Sequence, residues 1–392
     1  MRKTNKAFDR FDWSLTLLLC LFFIVSCVAI YSGQTTAKIP DNYLLKQIIF
    51  YGAGFIIIAV VMFFDHEQIK KLSWFLYGFG MLLLLILFFA PVTDITPIIN
   101  GAQSWFVIPG FGTLQPSEFM KVFLILALSK VLSDHNEKTE IKTIKTDLFL
   151  LVKIGGITAL PLGFVLKQND LGTSLVYIAI TAGIILVSGI TWKIIIPLFT
   201  GGISLAGTVL YFVVWAPDLL EKYLKVQGYQ FNRIYTWLDP ENSNSDAAYQ
   251  LLNSLKGIGS GILTGKGIGE RQVHVPEAHT DFIFSVIGEE YGFFGGSIVI
   301  SLFFLLIYHI TKTALDTNNP FNSYICVGII SMITFHVFQN IGMTIQLLPI
   351  TGIPLPFISS GGSSLLGNMF AMGLIYSIRF HHKTYMFASK SE

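Results

Sequence analysis

Apolar residues along this chain fall into ten long blocks separated by shorter polar stretches. The blocks run over 14–31, 48–64, 72–90, 117–133, 148–166, 172–188, 192–215, 283–308, 322–346 and 360–379. A helix needs about 20 mostly apolar residues to cross the hydrocarbon core of a bilayer. The pattern therefore predicts an all-α integral membrane protein with about ten transmembrane helices. The fifth and sixth blocks are separated only by LKQNDLG, which reads as a tight turn or a re-entrant dip.

Two connections are too long for simple turns. Segment 91–116 mixes Pro, Gly and aromatics, and segment 216–282 contains KGIGSGILTGKGIG. Connections longer than about 15 residues are usually functional or disordered. These are too rich in Trp, Tyr, Phe and Ile for disorder. We expect a folded, partly membrane-dipping cap, with 216–282 as a large extracellular loop between spans seven and eight of one polytopic domain covering 1–392.

Composition agrees with the pattern. Of 392 residues, 53% are hydrophobic and 13% charged, against about 25% charged in a soluble domain. The net charge of +2 is uninformative, and no nucleic-acid partner is expected. The placement of Lys and Arg says more. With the N-terminus inside, the inner segments hold fifteen of them: Arg2, Lys3, Lys6, Arg10, Lys70, Lys71, Lys130, Lys138, Lys142, Lys145, Lys193, Lys312, Arg379, Lys383 and Lys390. The short outer loops hold three: Lys38, Lys46 and Lys167. Both termini are expected in the cytoplasm. The first block lacks a small-residue cleavage site and reads as a retained helix. Cys20, Cys27 and Cys326 lie in apolar runs with no pairing pattern, so they read as buried small hydrophobes. No internal repeat is visible, which disfavours an inverted-repeat transporter.

Ionisable residues inside apolar blocks mark sites or pathways by default. Glu118 and Lys121, in QPSEFMKVF, lie three apart on one helix face and can pair. That pair either fixes helix packing or lines a polar cavity; Ser117 can cap the helix. Lys153 can snorkel to the surface. Asp170 either caps the sixth helix or lines a site. The long loop supplies Arg233, Trp237 and Asp239, then Lys256, Lys266 and Arg271 among glycines. Glycine lets backbone approach a ligand closely and adjacent cations suit phosphate, though loop flexibility explains glycines equally well. No GxxxxGK[ST] is present, so no nucleotide is expected.

The stretch PEAHTDFIFSVIGEE, residues 276–290, is the most unusual, with four acids at the mouth of an apolar block. A helix starting near Pro276 puts Glu277 and Asp281 on one face. It places Glu289 about 12 Å deeper and turns Glu290 nearly opposite Asp281. One metal cage from all four acids is excluded. Asp281 stands at the outer boundary, either as a catalytic acid–base group or as a capping or packing acid.

Several motifs together give the chain a family likeness. They are NGAQSWF, QPSEFMK, NDLGTS, RIYTWLDP, AYQLLNSLKGIGSGILTGKGIG, VPEAHTDFIFSVIGEEYGFFGG and QNIGMTIQLLPITGIPLPFISSGGSSLL. The sequence resembles the SEDS glycosyltransferases, the RodA/FtsW/SpoVE family, over nearly its whole length, and its last motif is most similar to RodA. It departs from the family pattern at Ser360, where SSGGS replaces SYGGS, and at Asn169, where Pro is common.

The resemblance implies polymerisation of peptidoglycan glycan strands from lipid II in the bacterial cytoplasmic membrane during elongation and shape maintenance. It carries the family's essential aspartate onto Asp281, its loop tryptophan onto Trp105 and its intramembrane pair onto Glu118 and Lys121. It also implies a divalent cation, Mg2+ or Mn2+, with Asp281 as the one candidate ligand. The implied partners are a class B penicillin-binding protein as transpeptidase, elongation-complex membrane proteins, lipid II and the growing strand. Asp170, Arg233, Lys266, Arg271 and Glu277 complete the candidate substrate-binding set. Two other classes stay open, a lipid II flippase and a non-catalytic scaffold recruiting the penicillin-binding protein.

Overall fold

The computed structural model describes residues 10–37, 42–99, 101–108, 112–139, 141–215, 228–243 and 245–382. Residues 216–227 of the long loop lie outside these, as do Arg2, Lys3, Lys6, Lys38, Lys383 and Lys390 from the orientation count.

Each of the ten apolar blocks coincides with a helix. These are α1 (Trp13–Ala37), α2 (Tyr43–Met62), α3 (His66–Phe89), α4 (Pro116–Lys138), α5 (Ile144–Lys167), α6 (Leu171–Leu186), α7 (Trp192–Trp215), α10 (Ile283–Asp316), α11 (Pro320–Thr344) and α12 (Gly362–Phe380). The long loop adds α8 (Gly228–Leu238) and α9 (Asp246–Ser260). Segment 91–116 contributes the sheet, a hairpin of β1 (Phe106–Ile108) against antiparallel β2 (Gly112–Leu114). The junction between α5 and α6 is a tight turn, with Asn169 at φ 60 and Asp170 capping α6.

Seven helices, α1, α2, α3, α5, α7, α10 and α11, are long and apolar enough to cross a membrane among the described residues. The protein is a multi-pass membrane protein. The more polar α4 and α12 lie at the centre, where α4 buries most of its length from Pro116 to Ser133. A helix surrounded by protein need not be apolar toward lipid, so it can carry Glu118 and Lys121. The outer helices show the converse. On α2 the buried stripe is Gln47, Tyr51, Gly54, Ile58 and Val61, while apolar residues such as Ile48, Ile56 and Val60 face outward. In lipid, small and polar residues mark the packing seam.

That seam reaches the far end of the chain. Gln47 donates to the Ser359 carbonyl at 3.3 Å, and the Tyr51 hydroxyl donates to the Phe357 carbonyl at 2.5 Å. Segment 345–361 is thereby folded over the end of the bundle. By contrast, α7 buries only Ile195 and Val213. A largely apolar cavity of about 390 Å³ opens between α5, α6 and α7, lined by Gly155, Ala159, Ile178, Ala182, Phe199 and Gly202 among others. Cys326 is buried as expected, but Cys20 is exposed on the apolar face of α1.

Candidate active site

The stretch 276–290 does not begin as a helix. Residues 276–282 form successive turns, Glu277 has φ 54, and α10 starts at Ile283. Glu277 and Asp281 therefore do not share a helix face. They meet through the Thr280 hydroxyl, which lies 3.1 Å from Glu277 Oε2 and 3.0 Å from Asp281 Oδ1.

Outside a helix, the turn's carbonyls need other donors. Three in succession are supplied from distant segments. The Ser360 N–H donates to the His279 carbonyl (2.9 Å), the Ser359 hydroxyl to Thr280 (2.6 Å) and Asn340 Nδ2 to Asp281 (2.7 Å). These anchors hold the Asp281 backbone. Gly352 lies beside its free side, where a β-carbon in place of the glycine hydrogen would come 3.8 Å from Oδ2.

The Asp281 side chain is partly open to solvent but densely surrounded. Burial pushes its carboxyl up to about 6, against the Thr280 hydrogen bond; neighbouring Glu277 pushes the same way as burial and Arg233 opposes it. His279 is buried against Tyr43, ring centroids 4.2 Å apart, and burial lowers its pKa.

A second polar group lies where α4, α6 and α11 meet. Lys121 Nζ is 2.6 Å from Glu118 and donates at 3.0 Å to His336 Nε2. His336 Nδ1 lies 2.7 Å from the Met332 carbonyl, a contact that suits an Nδ1–H donor and leaves Nε2 as the acceptor. Asp170 accepts from the Thr173 N–H and hydroxyl and, at 2.8 Å, from Gln115 Nε2 just ahead of α4. Burial raises its carboxyl; the charges of Glu118 and Lys121 act on it in opposite directions. Asp170 is thus both a cap and part of this group. Ser117 does not cap α4: Gln115 holds that position, and Ser117 Oγ is buried without a partner.

Segment 351–353 joins the two groups. Thr351 and Ile353 pack on Gly172, two residues from Asp170, while Gly352 flanks Asp281. The turn at 169 is also tied to Gly101, by Asn169 Nδ2 at 3.4 Å. Trp105 follows in the same segment, half-buried next to β1.

Lys266 and Arg271 go elsewhere. Glu289, fully buried, takes Lys266 at 2.7 Å, Arg271 at 3.5 Å and the backbone N–H groups of Gln272 and Val273 at 2.9 and 3.1 Å. Their charges hold loop 266–273 onto α10. The glycines have a similar explanation. At Gly292 (φ 59, ψ −151) α10 breaks. Lys266 and Gly267 donate to the carbonyls of Glu289 and Glu290 before the break, and Phe293 and Phe294 donate to Ile262 and Leu263 after it. A side-chain carbon on Gly265 would collide with the Glu290 carbonyl oxygen. The glycine run is therefore a backbone splice into a broken helix. Glu290 accepts from Ser32 and from Gly269 N–H (3.3 Å), and its Oε2 is buried without a partner.

Arg233, on α8, has no ion-pair partner among the described residues, and its charge acts on Asp281. Among the described residues no three His, Cys, Asp or Glu converge as a metal site. Asp281 and Glu277 suit a hard cation that draws its other oxygens from a diphosphate and water, as Mg2+ commonly does. His336, Asn340, Thr280 and Ser359 were not singled out from sequence. Polar residues inside apolar runs are the signal that marks His336 and Asn340.

Comparison with known proteins places this architecture. The family model described as "Cell cycle protein", FTSW_RODA_SPOVE, matches residues 7–384. The chain is 31% identical to a probable peptidoglycan glycosyltransferase FtsW of Geobacter metallireducens, over 95% of this chain and 96% of the relative. It is 32% identical to stage V sporulation protein E of Bacillus subtilis, over 94% and 96%. A solved chain from work on "structural coordination of polymerization and crosslinking by a peptidoglycan synthase complex" superposes with TM-score 0.76 at 26% identity, covering 94% of this chain and 97% of that one. The chain belongs to the SEDS family of FtsW, RodA and SpoVE proteins.

Proposed function

We propose that this protein polymerises peptidoglycan glycan strands from lipid II. One observation carries the reading: a partly open carboxyl, Asp281, is raised to about 6, held by distant anchors and accompanied by an arginine without an ion-pair partner among the described residues. A base titrating near the working pH is suited to proton abstraction.

In the reaction, Asp281 takes the proton from the 4-hydroxyl of the acceptor sugar. The hydroxyl oxygen forms a bond to the donor's anomeric carbon, with inversion. The bond from that carbon to the diphosphate oxygen breaks, and undecaprenyl diphosphate leaves with the electron pair. Arg233 is the cation best placed to receive it, because Lys266 and Arg271 are bound to Glu289 and Lys121 to Glu118. Asp281 and Glu277 would hold Mg2+ or Mn2+, which would neutralise diphosphate charge. The Glu118–Lys121–His336 group and Asp170 would support the site from across segment 351–353, and Trp105 would complete the substrate contacts. The apolar cavity between α5, α6 and α7 suits a polyprenyl chain. An activated donor supplies the energy, so no nucleotide is required.

The Lys and Arg bias supports placing this end of the bundle outside and both termini in the cytoplasm of a bacterial membrane. The NIGM and LLPITGIPLPF motifs support an elongation role of the RodA kind. The synthase-complex relative supports a class B penicillin-binding protein as partner.

The test is purified full-length protein with that partner and lipid II. Wild type should form glycan polymer, and Asp281→Asn should polymerise at least about 10²-fold more slowly while remaining folded and binding lipid II. Full polymer yield from Asp281→Asn would overturn the assignment. Lipid translocation without polymer would favour a flippase.

A further inference from the structure

Asn340 lies one turn before the end of α11 and is completely buried. Its Nδ2 donates to two backbone carbonyls, Asp281 at 2.7 Å and Ile353 at 2.8 Å. Two hydrogens meet two acceptors, which fixes the amide's orientation. The reverse orientation would set Oδ1 against both carbonyl oxygens. In consequence Oδ1 is buried with no partner. A buried acceptor without a donor lowers stability, and this amide bears that cost while supplying donors to two backbone carbonyls. Local rules are broken in this way where function requires it.

The location supplies the requirement. Asp281 sits in a non-helical turn that begins at Glu277 with φ 54. Of the three anchors on its carbonyls, two come from Ser359 and Ser360, which belong to the non-helical segment 345–361. Only Asn340 comes from a helix apolar enough to cross the membrane. It also grips both walls at once, the turn through Asp281 and the opposite segment through Ile353. Ile353 in turn packs on Gly172, beside Asp170. The connection Asp281–Asn340–Ile353–Gly172 therefore sets the spacing between the two polar groups of the site.

We infer that Asn340 is a positioning residue for glycosyl transfer, holding Asp281 at a fixed distance from segment 351–353. The inference rests on the reading of Asp281 as the base. Misplacing a reacting group by about 1 Å can cost about 10²-fold in rate, so a side chain that never touches substrate can control turnover.

The test uses full-length Asn340→Leu and Asn340→Ser with three readouts: thermal unfolding, lipid II polymerisation kinetics and amide hydrogen exchange. Leu removes both donors and the unpaired acceptor; Ser keeps one donor. Asn340→Leu leaves the Asp281 and Ile353 carbonyls without a donor, so it should lower the melting temperature. At a temperature where it stays fully folded it should still lower kcat by at least about tenfold, with KM within about twofold. Asn340→Ser should fall between. Exchange should quicken in 277–283 and 351–360 and stay unchanged in α4. A merely structural role moves stability and rate together, so wild-type kcat in Asn340→Leu, or a rate loss matching the loss of folded protein, overturns the inference. If Asn340→Leu does not fold, Asn340→Ser decides on the same criteria. Should wild type itself make no polymer, the reading of Asp281 fails separately. Exchange then judges Asn340: faster exchange in both segments supports the clamp, and unchanged exchange overturns it.

Discussion

Asp281 and Glu289 stand eight residues apart in one stretch, and their surroundings are opposite. Glu289 is fully buried, and its oxygens take two cations and two backbone N–H groups. Asp281 is partly open, and its side chain has one hydroxyl within reach. Complete satisfaction stabilises the ionised form of a buried acid and locks its donors in place. Glu289 thereby organises loop 266–273 and has no capacity left for chemistry. Burial, only partly offset by the Thr280 hydroxyl, raises the carboxyl of Asp281 to about 6, where it can exchange a proton with substrate. Both side chains end in a carboxylate; the donors supplied by the rest of the chain differ.

The comparison breaks first at Asp281→Asn. Polymerisation should fall by about 10²–10⁴-fold, the usual value of general-base help. Stability should move the other way. The folded carboxyl is raised above its unfolded value, so the native state retains a proton that the unfolded chain releases between about pH 4 and about 6. Its stabilising contribution is full below about pH 4 and is lost as pH rises through about 6. Asp281→Asn should therefore be more stable than wild type at pH 8, by up to about 3 kcal/mol, with the advantage gone at pH 4. Thermal unfolding at the two pH values measures it. Wild-type turnover should rise with pH and then level, with a midpoint at or below about 6 that falls as divalent cation is raised.

Glu289→Gln should do the reverse. Removing one partner of a buried ion pair costs about 3–5 kcal/mol, because Lys266 and Arg271 lose their counter-charge. Molecules that remain folded should retain turnover with an unchanged acid limb. A displaced limb would mean that Glu289 belongs to the chemistry. Gly265→Ala should come next, at roughly 1–3 kcal/mol from its φ of 79 alone, with the clash against the Glu290 carbonyl adding to that. Faster exchange at Lys266 and Gly267 would report the opened splice.

These differences mark how far the sequence can be read. The ten helices were legible because lipid imposes a length and polarity on each block. The Glu118–Lys121 pair followed from helical spacing, and the position of Asp281 at a block's mouth was plain. The non-helical turn at 276–282 ahead of α10 was not. HTDFIFSVIG holds no Pro or Gly before Gly288 to stop a helix, and nothing local shows that the carbonyls of His279, Thr280 and Asp281 are taken by Ser360, Ser359 and Asn340. Those donors lie about 60 to 80 residues away in the chain. The glycine run misled for a related reason. Glycine signals close approach, but sequence does not say to what, and here the partner is the break at Gly292. Lys266 and Arg271 stood out in the sequence as cations among glycines, and their pairing with Glu289 was not visible there.

The smallest expected effect separates the two acids most cleanly. Thr280→Val removes the one side-chain hydroxyl near Asp281 and leaves the Thr280 backbone carbonyl, with its Ser359 anchor, in place. That hydroxyl stabilises the ionised carboxylate, so its loss should raise the carboxyl further above about 6. The acid limb of the pH–rate profile should then move to higher pH by less than about one unit, with little change at pH 8. Thr280→Ser should behave as wild type. On the other acid, Lys266→Met removes one donor of several from Glu289, and it should lower the melting temperature with no movement of the acid limb. A limb that moves for Lys266→Met and not for Thr280→Val would invert the assignment, making Glu289 the titrating group and Asp281 the structural one.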